Sequence, residues 1–262
     1  KYYEYLVRQT TGCNESISRL RLMTRAQILE DLSAMQKVLF PADAALTQAS
    51  VLEQTSPDSM LDDLRSKITD TFPEIPDVDF QVKYVPESMQ DYLSPAFYMI
   101  PAIDNLTENV IYINNGQTAS GLNLYTTLAH EGYPGHLYQT NYFLTTNPSP
   151  LRTFLHCAGY DEGWGTYAQL YSYNFIEFKN VDEQTTKQLR QLYRDNDLLS
   201  LSLSSLSDLY VNYKNYDENA LANYLQTYGI DKDGAQNLYR YVIENPTTYL
   251  SYSIGCYELD QL

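Results

Sequence analysis

The chain has 262 residues, 44% of them hydrophobic, which is enough for one substantial core or two small ones. Lys and Arg number 17 against 33 Asp and Glu, a formal charge of −16; that argues against nucleic acid as a partner, because its binding rests on clustered cations, and disfavours anionic lipid surfaces. No run of eighteen apolar residues occurs, so no segment is expected to span a membrane.

The opening KYYEYLVRQT lacks the apolar centre of a signal peptide and reads as mid-helix with no cap, as if cut from a longer chain. The 26 tyrosines, with many Ser, Thr and Asn and few Lys, describe a solvated but uncharged surface of the kind found on exported proteins. An extracellular or cell-surface location is expected on that basis, with a cytoplasmic one as the alternative. Cys13, Cys157 and Cys256 are too scattered for a disulfide framework, and an odd number leaves at least one without an internal partner.

In chain order, Thr24-Arg25-Ala26-Gln27 has the form of a capping box, and Ile28, Leu32, Met35 and Leu39 follow at helical spacing until Pro41 stops the run. A second helix starts at Ser56-Pro57, with proline at the first helical position, carries Met60, Leu61, Leu64 and Ile68, and ends before Phe72-Pro73. Between about 73 and 118, prolines exclude long helices, and the stretches 81–85, 96–99 and 109–113 read as short strands. A sheet placed just before a metal helix could lend an edge strand to a substrate backbone; it could equally be a hairpin that covers one end of a helical core. Asn114-Asn115-Gly116 is a turn, and a helix runs from about 119 with Leu122, Leu124, Tyr125 and Leu128 largely buried.

That helix reaches His130-Glu131-Gly132-Tyr133-Pro134-Gly135-His136, which holds two of the chain's three histidines. Neutral imidazole is the commonest protein ligand for zinc, and an adjacent carboxylate can act as a general base on water. In the HExxH pattern the histidines are four apart on one helix face. Here they are six apart, which would turn the rings about 120° from one another on a straight helix. Pro134 offers no N–H to the carbonyl of His130, so the helix must kink or bulge, and such a break can bring His136 round to the side of His130. Past the break, Leu137, Tyr138 and Tyr142 continue the helix to roughly 144.

Ser149-Pro150 opens the next helix, which carries Leu151, Phe154, Leu155 and the packed Cys157 towards Asp161-Glu162-Gly163-Trp164-Gly165. Glu162, 26 residues beyond His136, supplies a third metal ligand after an antiparallel return. Two histidines, one glutamate and an open position make a catalytic arrangement, whereas structural zinc sites are closed by four protein ligands. His156 reads as a packed or surface residue, and Asp161 as a group outside the ligand set that orients an imidazole. The glycines beside Trp164 suggest close backbone approach to the metal helix. Residues 183–213 form one leucine-dense buried helix; others run from Asp217 to about Tyr228, from Asp231 or Asp233 to Asn245-Pro246, and from near Thr247 to the end.

HEGYPGHLYQ followed by EGWGTY resembles the HExxPGHxxQ and EGWAxY signatures of a large, mainly bacterial family long catalogued as a domain of unknown function and similar to gluzincin peptidases. Tyr252-Ser253-Ile254-Gly255 matches a YxxG element of that family's last helices, and Gly165 stands where the family has alanine. The resemblance covers most of the chain but only the C-terminal part of the family domain; the helical region that usually precedes it is expected to pack against this chain. It implies one zinc ion held by His130, His136 and Glu162, with Glu131 as the base. Tyr252 is the candidate donor to the oxyanion, since a phenol stays protonated at neutral pH.

The expectation is a mainly α, zincin-like metallopeptidase domain over residues 1–262, with a small sheet before the metal-binding helix, acting on a peptide substrate. The rivals are an exported metal-binding or scaffold protein without turnover, and a hydrolase of non-peptide amides.

Overall fold

Helical periodicity and turn chemistry account for most of the architecture, which is mainly helical with a small sheet. A computed structural model describes residues 1–46, 56–75, 77–102, 105–117 and 121–262, and the side chains of all of these except 39–46. In chain order the elements are α1 (Tyr2–Thr11), α2 (Ile17–Leu46), α3 (Pro57–Lys67), β1 (Phe80–Tyr84), β2 (Ala96–Met99), β3 (Asn109–Ile113), α4 (Leu122–Glu131), α5 (His136–Thr145), α6 (Pro150–Phe154), α7 (Ala158–Ser172), α8 (Glu183–Asn212), α9 (Glu218–Gln226), α10 (Lys232–Glu244) and α11 (Thr248–Asp260). The expected start of α4 near residue 119 lies outside the described residues. None of the described helices is long and apolar enough to cross a membrane.

Caps behave as their sequences dictate. Ser56 accepts from the Ser59 backbone ahead of Pro57, Asp217 accepts from Ala220, and Asp231, not Asp233, accepts from Gly234. Three expectations need correction. Thr24 caps nothing: α2 begins at Ile17, and the Thr24 hydroxyl donates to the Leu20 carbonyl in mid-helix. The buried stripe Ile17, Leu20, Thr24, Ile28, Asp31 shows why, since the apolar period begins a full two turns before the capping pattern. Pro41 does not stop α2, whose backbone stays helical to Leu46; proline removes one backbone bond without expelling the chain from the helix. The helix opened by Pro150 is only one turn long, because Leu155 turns extended and Leu151, Phe154 and Leu155 are exposed. α7 then starts afresh after Cys157, whose carbonyl accepts from Tyr160 and Asp161.

The chain divides into two compact units. The first comprises Lys1–Asp43, Cys157–Gly163 and Gln191–Leu262. Its core gathers Val7, Leu20 and Ile28 with Leu203, Leu206 and Leu209 of α8, Leu221 and Leu225 of α9, Val242 of α10 and Leu250 and Ile254 of α11. α8 is less buried than its leucines predict: Leu189, Leu192, Leu203, Leu206 and Leu209 are buried, but Leu198, Leu199 and Leu201 are half-buried. Glu183, Lys187, Gln191 and Ser200 are exposed, while the helix also buries Asp195, Ser202, Ser205, Ser207 and Asp208. Asp208 accepts from the Tyr3 hydroxyl, from Asn212 at 3.1 Å and from the Thr247 backbone at 2.6 Å. Burial pushes its carboxyl up to about 6, against the downward pull of those donors.

The second unit comprises Ala44–His156 and Trp164–Arg190. Its sheet has the order β1-β3-β2, with β3 parallel to β1 and antiparallel to β2. The last strand in sequence is therefore the central one. Four of its five residues are buried, and among the described residues no strand pairs with the outer edge of β2.

Candidate metal centre

α4 delivers His130 and Glu131 at its last two positions. It buries Leu124, Tyr125, Leu128, Ala129 and His130, and the Tyr125 hydroxyl donates to Asp63 of α3 at 2.6 Å. Burial, reinforced by that carboxylate, raises the Tyr125 phenol and keeps it a donor.

The insert Gly132–Gly135 breaks the helix. Gly132 N still reaches the Leu128 carbonyl, but the Tyr138 N–H bonds back to Gly132 O at 3.1 Å, which joins α4 to α5 across the four-residue bulge. Tyr133, Pro134 and Gly135 are buried. A Cβ at Gly135 would overlap the His130 carbonyl, so only glycine lets the insert fold this tightly. As a result the His130 and His136 rings lie with centroids 4.7 Å apart and planes at 84°. His136 Nδ1 faces Gln139 Oε1 at 3.5 Å, the outer limit of a hydrogen bond.

Among the described residues, His130, Glu131 and His136 form the group of potential metal ligands, with ligand atoms all within 4.8 Å of one another. His130 is buried, while Glu131 and His136 are half-buried. Glu131 Oε2 accepts from the backbone N–H of Tyr98 at 2.8 Å, which turns the outer edge of β2 towards this carboxylate. The Tyr98 hydroxyl donates to Asn109, which also accepts from Asn141, so strand and helix are tied on both sides of the group.

α7 contributes the next contacts. The Trp164 indole N–H donates to the Pro134 carbonyl at 2.8 Å. Gly165 lies under the His130 ring: a Cβ there would stand 2.5 Å from Nε2. This explains a mid-helix glycine that costs about 1 kcal/mol relative to alanine. The expectation for Gly163 needs correction. Its close neighbour is the backbone of Gly255 on α11, not the metal helix.

The remaining candidates are placed as follows. Glu162 is half-buried on α7. Asp161 is half-buried beside it, and His156 is exposed between α6 and α7. Tyr252 is half-buried on α11, one turn before Gly255. All three cysteines are free thiols. The Tyr98 amide is the contact a reading of the sequence misses, because a single strand does not reveal what lies beyond its edge.

The family described as "Bacterial protein of unknown function (DUF885)" matches residues 2–262. The chain belongs to the DUF885 family. No curated protein matches it. Solved structures that share its fold include two, each described as a "putative lipoprotein". The protein from Colwellia psychrerythraea superposes with a TM-score of 0.78 at 19% identity, covering 99% of this chain and 48% of that one. The protein from Shewanella oneidensis, of unknown function, gives 0.71 at 14% identity, covering 99% and 52%. This DUF885 chain thus spans about half the length of both.

Proposed function

We propose that the chain is a peptide hydrolase that uses one zinc ion, with His130, His136 and Glu162 as its ligands and Glu131 as the general base. The observation that carries this reading is the convergence of the His130, Glu131 and His136 ligand atoms within 4.8 Å, produced by a bulge that a regular helix would not make. The donor set fits zinc: two imidazoles, one close to a side-chain amide oxygen that would orient it, and a neighbouring carboxylate. Glu162 enters from the EGWGTY resemblance.

The chemistry that zinc supplies when bound is Lewis acidity towards a carbonyl and a lowered pKa for water. The protein's own groups do the rest. Glu131 takes the proton of the attacking water and passes it to the leaving amine. The outer edge of β2, apart from the Tyr98 N–H that Glu131 accepts, offers backbone groups to an extended peptide, the strand-addition mode of recognition. Tyr252 supplies a hydrogen bond to the developing oxyanion. The fold shared with two proteins each described as a "putative lipoprotein" supports a surface or exported location.

Two other readings have specific support. The same three atoms fit a site in which Glu131 is itself a ligand, and a scaffold that binds metal without turnover would need the same cluster. Metal analysis of the purified chain, followed by a peptide-library digest with and without chelator, tests the proposal. Chelator-sensitive cleavage supports it, and a chain that takes up no zinc overturns it.

A further inference from the structure

We infer that the Trp164-Gly165 step of α7 sets the spacing of His130 and His136, so that two residues without a ligand atom act as positioning residues of the metal centre. This rests on the metal reading above. The insert between the histidines has a backbone problem to solve. In a continuous helix the Pro134 carbonyl would accept from the N–H of residue 138, but that N–H is bonded to Gly132 O. The Trp164 indole N–H takes its place at 2.8 Å, and Pro134 is buried. A buried carbonyl left unmet is destabilising, so this one bond fixes the depth to which the insert folds, and with it the start of α5 at His136.

The neighbouring residue fixes the other ring. With no side chain at Gly165, the His130 imidazole packs against the α7 backbone; a Cβ would meet Nε2 at 2.5 Å, Cε1 at 2.7 Å and Cδ2 at 2.8 Å. All three nearest atoms belong to the imidazole, so any side chain at 165 must displace a candidate ligand. Trp164 is itself held by aromatic neighbours. Its ring is nearly parallel to Tyr138 (13°, centroids 6.5 Å), edge-on to Phe72 (88°, 6.2 Å) and 5.9 Å from Tyr167. Tyr138 follows His136 on α5, so the wall that orients the indole also includes the helix that His136 begins.

Cobalt(II) is the probe, because its visible bands report ligand number and geometry directly. The wild-type chain is expected to bind about one Co²⁺ with the intense bands of a low-coordinate site. Trp164→Phe keeps an aromatic six-membered ring but loses the pyrrole N–H; Gly165→Ala adds one methyl against His130. Each is expected to weaken Co²⁺ binding by about tenfold or more and to shift the bands, with the metal-free circular dichroism unchanged. If both folded variants bind Co²⁺ with wild-type affinity and an unshifted spectrum, the positioning role is overturned while the metal centre stands. A lowered melting temperature with an unshifted spectrum also overturns it, because that is what a merely structural role produces. Wild-type chain that takes up no Co²⁺ overturns the metal reading and this inference with it. Should one variant fail to fold, the other decides.

Discussion

The backbone N–H of Tyr98 donates to Glu131 Oε2 at 2.8 Å, so the carboxylate adjacent to His130 is held by the outer edge of a β-strand. Glutamine at 131 keeps an acceptor for that N–H and loses basicity. Glu131→Gln is therefore expected to retain zinc while peptide cleavage falls by ~10²-fold or more. Zinc content and turnover measured on the same preparation check this. Loss of the metal would instead make Glu131 a ligand, and unchanged turnover would remove it from the chemistry.

The two imidazoles make a second expectation. The folded chain should hold about one zinc, and His130→Ala or His136→Ala should lose most of it, since too few protein ligands remain. Elemental analysis after gel filtration is sufficient. Equal zinc in wild type and the double variant would end the proposal.

The YxxG element gives two separate expectations. Gly255 meets the Gly159 carbonyl and the Gly163 backbone so closely that a Cβ has no room. Gly255→Ala is expected to destabilise the chain by about 1–3 kcal/mol, the usual range for overpacking. Chemical denaturation reads this directly. Tyr252→Phe should leave zinc content unchanged but lower turnover by ~10²-fold; a variant as active as wild type would exclude the hydroxyl from the mechanism.

Asp208 predicts an unusual pH dependence. Its carboxyl ordinarily titrates at 3.8, and burial raises it in the folded chain to about 6. The folded state therefore binds more protons than the unfolded state between those values, and stability falls as pH rises through that window. The contribution is roughly 3 kcal/mol, present in full below about pH 4 and lost above about pH 6. Exposed carboxyls such as Glu4, Asp182 and Glu183 shift downward and oppose the trend, so the comparison must be with Asp208→Asn. Urea unfolding of both proteins between pH 3.5 and 7 should show the wild-type advantage shrinking as pH rises. An advantage that does not change with pH would contradict it.

Local chemistry determined much of this protein from sequence. Proline at the first helical position and a serine cap placed α3, alternation placed the three strands within a residue, and Pro134 inside a histidine pair announced a broken helix. These signals act within a few residues and need no partner. The capping pattern at Thr24 misled for the same reason, since a local motif carries no record of the buried stripe that begins at Ile17. Tertiary structure alone decided the rest: that β3 is the central strand, that the outer edge of β2 meets Glu131, that Trp164 bonds Pro134, and that Gly163 and Gly165 relieve different contacts. Each of these is a distance between residues far apart in the chain. Such distances follow from how helices and strands pack, and residue type at either end does not encode them.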